Sequence, residues 1–289
     1  MPGAKKFAQF WGVMRSISVK GIESESKRPV KLILMGDHET ALNYTEKLLG
    51  RSVTQESDLS VDDIEFYDLS TNNQPPPESE SVIPVAVNSS LEDKVFAEWA
   101  DRLLDRQPDR TLALARKFPG LRPAACSRLI KETALVNSEV AMMSALPGVL
   151  PWTAVLLSVS SVSDIVILSK NQAMMLLRLA AAYRMPLDTC SRSPEMMPLL
   201  GNAFGWRAIA RELIAVVPDG IGLAIKGAIA YAGTVALGKA LQAYYQNGTP
   251  ITSREVNRYY QNAMIGARKV VPEILQNLRR RKKVRVKSG

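Results

Sequence analysis

The stretch VAMMSALPGVLPWTAVLLSVSSVS, residues 140–163, has no charged side chain and is bounded by Glu139 and Asp164. As an α-helix, its twenty-four residues would extend about 36 Å, more than the ~30 Å hydrocarbon core of a bilayer. A second apolar stretch, residues 213–237, follows it. Two such stretches predict a helical module in the second half of the chain, buried in protein or placed against a membrane.

Several charges and prolines oppose two complete membrane crossings. Pro147 and Pro151 interrupt the first stretch, and Asp219 and Lys226 interrupt the second. If both stretches crossed, the connection 170–212 would face outward with six Lys/Arg against three Asp/Glu, contrary to the positive-inside rule. We therefore favour helices that lie on or dip into the cytoplasmic face, with an integral arrangement as the alternative.

The charge of the chain is divided by position. Residues 21–100 carry a net charge of −10, residues 101–278 carry +8, and the last eleven residues add +7. This asymmetry predicts two domains with different surfaces. The predicted segments are an N-terminal helix and linker, an α/β domain, a helical module and a basic tail, at residues 1–28, 29–107, 108–278 and 279–289.

Cysteine and histidine are scarce. His38 is the only histidine, and Cys126 and Cys190 are the only cysteines. These counts exclude a Cys/His zinc site and leave no disulfide framework. A nucleophile–histidine triad would have to use His38, which lies among acidic residues with no nucleophile elbow nearby. The sequence therefore predicts no catalytic residues, no metal and no cofactor.

The stretch PVKLILMGDHETALNYTEKLLG, residues 29–50, predicts a strand, a glycine turn and a helix. Residues 30–35 form an apolar run typical of a buried parallel strand, which ends at Gly36. Residues 40–49 have helical character, and Gly50 is a suitable C-terminal stop. This layout is the one that a phosphate-binding P-loop uses.

The residues that bind phosphate in a P-loop are missing from this layout. Only the first glycine of the pattern G-x-x-x-x-G-K-[ST] is matched, by Gly36, and the other three positions are occupied by Ala41, Leu42 and Asn43. Asp37 and Glu39 add carboxylates that repel phosphate. The sequence predicts a degenerate P-loop, and an ordinary strand–turn–helix is the alternative.

Two further strands and a helix complete the predicted α/β domain. The strands cover residues 62–68 and 82–87, and Ser89 with Glu92 forms a capping box that would open the helix. Asp68 takes the position of a GTPase's metal-facing aspartate, although no D-x-x-G follows it. The apolar residues expected to face the sheet recur every fourth position, at Leu91, Val95, Trp99 and Leu103.

The N-terminal segment predicts an amphipathic helix over residues 4–17, followed by a polar linker over 21–28. Aromatic residues opposite lysines suit a membrane interface, and a helix that caps the protein's own core is the alternative. The residues predicted to contact a membrane are large and apolar: Phe7, Phe10, Trp11, Leu146, Leu150, Trp152, Leu156 and Leu157.

Three phrases resemble a known family in the same order and spacing. They are ALARKFPGLRPAACSRLIKETALVNSEVAMMSALPG, NQAMMLLRLAAAYRMPL and VVPDGIGLAIKGAIAYAGTVALGKAL. Together they resemble the bacterial YcjF-like family, a helical module of unknown function, over residues 112–241. The resemblance implies a membrane-associated module of the kind that often follows an Era-like GTPase domain, and makes residues 29–107 a shrunken remnant of that domain.

The second apolar stretch carries a small residue at every fourth position. A ridge of this kind lets another helix approach at backbone distance, in membranes and in soluble bundles alike. The predicted helix-packing residues are Gly220, Ala224, Ala228, Ala232 and Ala236.

The chain ends in a basic helical region. Thr252 or Ser253 is expected to cap a helix through Val270, and Pro272 is expected to begin a separate final segment. The basic residues that follow are Arg279, Arg280, Arg281, Lys282, Lys283, Arg285 and Lys287. Each attracts anionic lipid by about 1 kcal/mol. Nucleic acid is the less favoured partner because no reading motif accompanies the run, and a solvated tail is the plain alternative.

The sequence as a whole predicts an α+β protein, with a small degenerate GTPase-like α/β domain before an all-α helical bundle. Its predicted role is a non-catalytic scaffold or regulator at the cytoplasmic face of the membrane, peripheral or monotopic. The expected partners are anionic lipids and either a second copy or a GTPase. The alternatives are a divergent Era-like GTP-binding protein and a soluble nucleic-acid-binding protein that uses its basic tail.

Overall fold

A computed structural model describes residues 17–52, 63–68, 76, 78–79, 81–87, 92–143, 160–188, 221–249 and 251–287, and it omits the side chains at 160–166, 221–223 and 277–287. The chain divides into two compact units. Val19–Arg128 and Arg178–Pro186 form the first, here called the α/β unit, and the second, the helical unit, includes Leu129–Leu177 and the chain from Leu187. The described residues are mostly helical and include one small sheet, which confirms the α+β prediction.

The sheet of the α/β unit has three parallel strands. They are β1 (Lys31–Gly36), β2 (Ile64–Asp68) and β3 (Val82–Ala86), in the order β2-β1-β3. The central strand is the most apolar, and its Leu32 and Leu34 are fully buried. A strand with neighbours on both edges and helices nearby is expected to be a continuous apolar run. The three strands therefore lie close to where the sequence predicts them.

Four helices belong to the α/β unit in full: α1 (Val19–Ser26), α2 (His38–Leu49), α3 (Asp93–Arg106) and α4 (Thr111–Lys117). The α2 prediction is confirmed, including its stop at Gly50, whose φ of 66° is left-handed. Short 3-10 turns at Pro108–Arg110 and Pro119–Leu121 flank α4.

The prediction of a polar linker over residues 21–28 is wrong, because α1 covers most of it. Ile22 and Ser26, four residues apart, form the buried face of this helix. The Ser26 hydroxyl donates to the Glu23 carbonyl at 2.9 Å, which satisfies it inside the helix. A helix with one buried apolar side chain has no hydrophobic periodicity that a sequence pattern can detect.

Three aromatic rings join α2 and α3. The rings of Tyr44 and Trp99 lie 5.0 Å apart edge to face, and Phe96 stacks on Trp99 at 5.6 Å. The Trp99 indole N–H also donates to the Ala86 carbonyl of β3 at 2.9 Å, so α3 is fixed to the sheet. Such aromatic pairs contribute about 0.5–1.5 kcal/mol each beyond the area they bury.

The start of α3 differs from the prediction. The helix begins at Asp93, with Glu92 as an N-cap residue that makes no side-chain bond, so the capping box of Ser89 and Glu92 is wrong. Ser89 itself and Leu91 lie outside the described residues. The buried face of α3 includes Trp99 and Leu103 as predicted, and it adds Phe96, Ala100 and Leu104.

Among the described residues, the helical unit includes all or part of four long helices: α5 (Arg122–Met143), α6 (Ser160–Ala182), α7 (Ile221–Asn247) and α8 (Ser253–Lys287). The boundary between the two units falls within α5 and within α6. The units therefore divide the chain at different points from the segment boundary predicted at residues 107/108.

Helices α7 and α8 form an antiparallel pair. Gly248, with φ of 70°, ends α7, and a capping box opens α8, in which the Thr252 amide and hydroxyl donate to the Glu255 carboxylate at 2.9 and 2.8 Å. The expectation that Pro272 begins a separate segment is wrong, because α8 continues through Pro272 to Lys287. Pro272 is exposed, so water can bond the carbonyl that its missing N–H leaves unpaired.

Helix α7 is the centre of the helical unit, since none of its residues from 224 to 245 is exposed. Two of its glycines lie against α5. A Cβ atom at Gly227 would come within 2.8 Å of the Met142 side chain, and one at Gly238 within 2.5 Å of Ile130. The backbones of α5 and α7 therefore approach more closely than an alanine would allow.

This close approach predicts opposite effects for two glycines in the same helix. We expect Gly238→Ala to lower the free energy of unfolding by about 1–3 kcal/mol, because Ile130 is β-branched and cannot easily move. Gly233→Ala, where no atom lies within 4 Å of the added Cβ, should raise it by up to about 1 kcal/mol through helix propensity. Urea unfolding of the two variants measures both changes, and equal changes of the same sign would contradict the packing.

Candidate functional site

The first candidate site is the carboxyl edge of the sheet. In open parallel sheets, ligands bind outside the carboxyl ends of the strands, at the point where the strand order reverses. The order β2-β1-β3 places this point between β1 and β3. Gly36 ends β1 opposite Asp68, which ends β2. Any nucleotide chemistry of the α/β unit would be expected at this edge.

A carboxylate of the chain itself caps the N-terminus of α2. Only Asp37 separates β1 from α2, and it is the N-cap of that helix. Its Oδ1 accepts from the Thr40 amide at 2.8 Å, and its Oδ2 accepts from the Thr40 hydroxyl at 2.7 Å. These bonds hold the pKa of Asp37 below its usual value, and the bond from the Thr40 hydroxyl has the larger effect. The N-terminus of α2 therefore already binds an anion.

The predicted degenerate P-loop residues do not form a loop. Ala41 is buried in the first turns of α2, and its amide donates to the Asp37 carbonyl at 3.0 Å. Leu42 and Asn43 follow it in the same helix. Gly36 is explained by packing, because a Cβ atom there would lie 2.5 Å from Cγ2 of Val87. The layout has no room between strand and helix for a loop that encloses phosphates.

Removing the capping carboxylate should weaken the fold in a pH-dependent way. A folded-state pKa below the unfolded value gives stability that is complete above the unfolded value and is lost as the pH falls through the folded pKa. We expect Asp37→Ala to lower Tm at neutral pH by about 2–4 °C, with the deficit shrinking in acid. Thermal unfolding of this variant and wild type across the acid range measures the effect.

The matched control is Asp37→Asn, which keeps a capping oxygen but cannot titrate. It should stay near wild type at neutral pH. A deficit of Asp37→Ala that persists unchanged at low pH would contradict a role for the charged carboxylate.

The predicted membrane-contact residues lie outside the described part of the chain. These are Phe7, Phe10, Trp11, Leu146, Leu150, Trp152, Leu156 and Leu157. Among the described residues, no helix combines the length and apolar character needed to cross a bilayer.

The alanine ridge of α7 faces other helices of the unit. Ala224 and Ala228 pack against a cluster that includes Tyr231 and Val271. Ala232 and Ala236 are fully buried in a second cluster, with Tyr260 and Ala263 of α8. Gly220, the remaining predicted member, lies outside the described residues.

A buried polar contact joins three helices of the same unit. The Asn137 side-chain amide of α5 donates to the Thr234 hydroxyl of α7 at 3.0 Å, and the Asn171 amide of α6 donates to the Asn137 side-chain oxygen at 2.9 Å. Asn137 and Thr234 are fully buried. Sequence analysis missed this contact, although isolated polar residues in apolar helices are a signal for one.

Three arginines meet within the α/β unit, where α4 ends and where the last residues of α6, which belong to this unit, end. Arg184 donates from Nε to the Arg116 carbonyl at 2.8 Å and from Nη2 to the Lys117 carbonyl at 3.3 Å. Arg116 donates in return to the Ala181 carbonyl of α6 at 3.0 Å. Each helix C-terminus is thus capped by an arginine from the other.

Arg122 is the third member of this arginine cluster, defined by Arg116, Arg122 and Arg184. Its Nε donates to the Ala115 carbonyl at 3.2 Å, and its guanidinium lies 5.2 Å from the centre of the Tyr183 ring. Burial and the nearby charges of Arg184 and Arg116 lower the pKa of Arg122. Sequence analysis missed the cluster because Arg184 is 68 residues away from Arg116 in the chain.

The basic end of α8 has a described backbone only. The backbone is helical to Lys287, so all seven predicted lipid-contact positions from Arg279 to Lys287 lie on the helix. In the described part of the chain, no three His, Cys, Asp or Glu residues are grouped as metal ligands.

No protein-family model matches the chain, and comparisons with curated proteins and with solved structures found no significant match.

Proposed function

We propose that the protein is a non-catalytic scaffold at a membrane surface, in which a YcjF-like helical unit carries a basic helix to anionic lipid. The α/β unit is then a degenerate GTPase-like domain that binds no nucleotide. The observation that carries the proposal is the continuation of α8, as a helix, into a segment with seven positive charges. A second copy of the chain or a GTPase is the protein partner that this role implies.

The first part of α8 is fixed to the bundle by apolar contacts. Tyr260, Ala263, Ala267 and Val271 are buried against other helices of the unit, and Leu275 is packed at the edge of the same cluster. The helix then runs twelve residues further, to Lys287, which corresponds to about 18 Å. Charges on a continuous helix are held at a defined place, whereas charges on a flexible tail are not.

The number of charges is enough for binding to an anionic surface. Seven basic residues at about 1 kcal/mol each give about 7 kcal/mol of attraction near an anionic leaflet, before the cost of immobilising the protein. Basic residues also suit a helix C-terminus, which supports a continuous helix there. The attraction falls steeply with salt because it acts over about one Debye length.

The α/β unit supports a role without nucleotide. The amide and the hydroxyl of Thr40 at the N-terminus of α2 both bond to the Asp37 carboxylate. A phosphate would have to displace this carboxylate and remain beside its negative charge, with no lysine at the position of Leu42. Displacing the Asp37 carboxylate therefore removes the helix cap, and it also places two anions side by side, where they repel each other.

The lipid proposal predicts a loss of vesicle binding when the basic end is neutralised. Arg279→Gln, Arg280→Gln and Arg281→Gln together should weaken partitioning onto phosphatidylserine vesicles about 100-fold at low salt, at about 1 kcal/mol per charge. Co-sedimentation with increasing vesicle concentration measures the partition coefficient. Vesicles of phosphatidylcholine alone should not retain the wild-type protein.

The matched control removes three exposed charges from α3: Lys94→Gln, Arg102→Gln and Arg106→Gln. It should bind phosphatidylserine vesicles like wild type. Equal binding by the two triple variants would contradict the proposal. If wild-type protein does not bind phosphatidylserine vesicles but binds duplex DNA with an affinity that falls steeply with salt, the nucleic-acid alternative is favoured.

A further inference from the structure

The positive charge of the arginine cluster exceeds the partial negative charge at the two helix C-termini that it caps. Two helix C-termini contribute about −0.5 each, against three guanidinium charges, so about two positive charges are left over. Glu23 is the acid in the described chain whose pKa responds to Arg116, but its pKa is lowered chiefly by its hydrogen bond to Lys27. That bond is 2.6 Å long, so Glu23 is already paired.

Most hydrogen-bond donors of the cluster also point to no carbonyl. Each guanidinium carries five N–H groups. The bonds to Ala181, Ala115, Arg116 and Lys117 carbonyls use one donor of Arg116, one of Arg122 and two of Arg184. Within the described part of the chain, the remaining donors have no carboxylate partner. Arg184 is exposed and the other two arginines are half-buried, so an anion can reach them.

Arg184 has an unusual backbone conformation for a residue with a side chain. Its φ of 60° is left-handed, at the end of α6, where the Met185 amide donates to the Ala180 carbonyl and the Arg184 amide to the Ala181 carbonyl. Glycine is the usual residue at this position of a Schellman motif. An arginine here is strained relative to glycine, and its guanidinium bonds to the end of α4 and lies near enough to Arg122 to lower the pKa of Arg122 beyond the effect of burial.

We propose that Arg116, Arg122 and Arg184 form a binding site for a phosphate group. The two negative charges of phosphate match the surplus positive charge at the ends of α4 and α6. Guanidinium forks bind phosphate oxygens in pairs, and the Tyr183 ring holds the Arg122 plane in place. A carboxylate would neutralise only half of the surplus. This site is independent of the basic end of α8 and of the lipid proposal.

Calorimetric titration of the full chain with inorganic phosphate, against sodium chloride at equal ionic strength, tests the site. Wild type should bind phosphate saturably in the millimolar range or tighter. Arg184→Gly should bind at least about tenfold more weakly, because it loses charged donors while glycine keeps the left-handed backbone. Arg122→Lys, which keeps the charge but loses the planar fork, should also bind more weakly.

The control is Arg102→Gln, an exposed charge on α3, which should bind like wild type. Weaker binding in either cluster variant with normal binding in the control supports the site. The proposal is overturned if wild type shows no saturable binding up to tens of millimolar phosphate, or if both cluster variants bind like wild type, or if the control loses as much affinity as they do.

Two further arms identify the source of the phosphate group. Glycerol phosphate represents a soluble phosphomonoester, and vesicles containing phosphatidic acid represent a lipid headgroup. A preference for phosphatidic acid over phosphatidylserine that disappears in Arg184→Gly assigns the site to a headgroup. Binding of glycerol phosphate that disappears in this variant, without any vesicle preference in wild type, assigns it to a soluble ligand.

Discussion

The close approach of neighbouring helices to α7 is the constraint on which the helical unit depends. The Met142 and Ile130 side chains of α5 lie against Gly227 and Gly238, where a Cβ atom would leave too little space. On the side of α8, Ala232 and Ala236 pack in one cluster with Tyr260 and Ala263. At this distance, buried polar groups can pair directly, as Asn137 does with Thr234. Because a buried amide without a partner is costly, this pair also disfavours any shift of α5 along α7.

In the α/β unit, one carboxylate caps the helix that follows the central strand at the carboxyl edge of the sheet. Asp37 follows β1 directly and bonds to Thr40 at the start of α2. The strand order is one that places ligands at this edge in other α/β folds. Here the anion at the start of α2 is a side chain of the chain itself.

The parts of the fold that sequence analysis predicted well have local signals. The strand around Leu32 and Leu34 is a continuous apolar run, Gly50 marks a helix end, and Thr252, one of the two predicted caps, precedes the start of α8. The parts it missed depend on tertiary contacts. The helix around Ile22 is held by burial of two side chains, which leaves no periodic pattern.

The candidate sites also divide into those with a local sequence signal and those that depend on tertiary contacts. The mismatch with the P-loop pattern could be found in the sequence, because a pattern with fixed spacing either matches or does not. The arginine cluster could not, since Arg116 and Arg184 are 68 residues apart and meet only because two helices end side by side. Pro272 was misread because its effect depends on exposure, which lets one unpaired carbonyl bond to water.

Titration of the wild-type chain with labelled GTP and magnesium tests most directly whether the Asp37 carboxylate closes the end of β1 to nucleotides. The same titration of the Arg184→Gly variant shows whether the arginine cluster contributes to the signal. With Asp37 bound to the start of α2, we expect no saturable binding at micromolar GTP. Saturable micromolar binding that unlabelled GDP displaces would contradict the account.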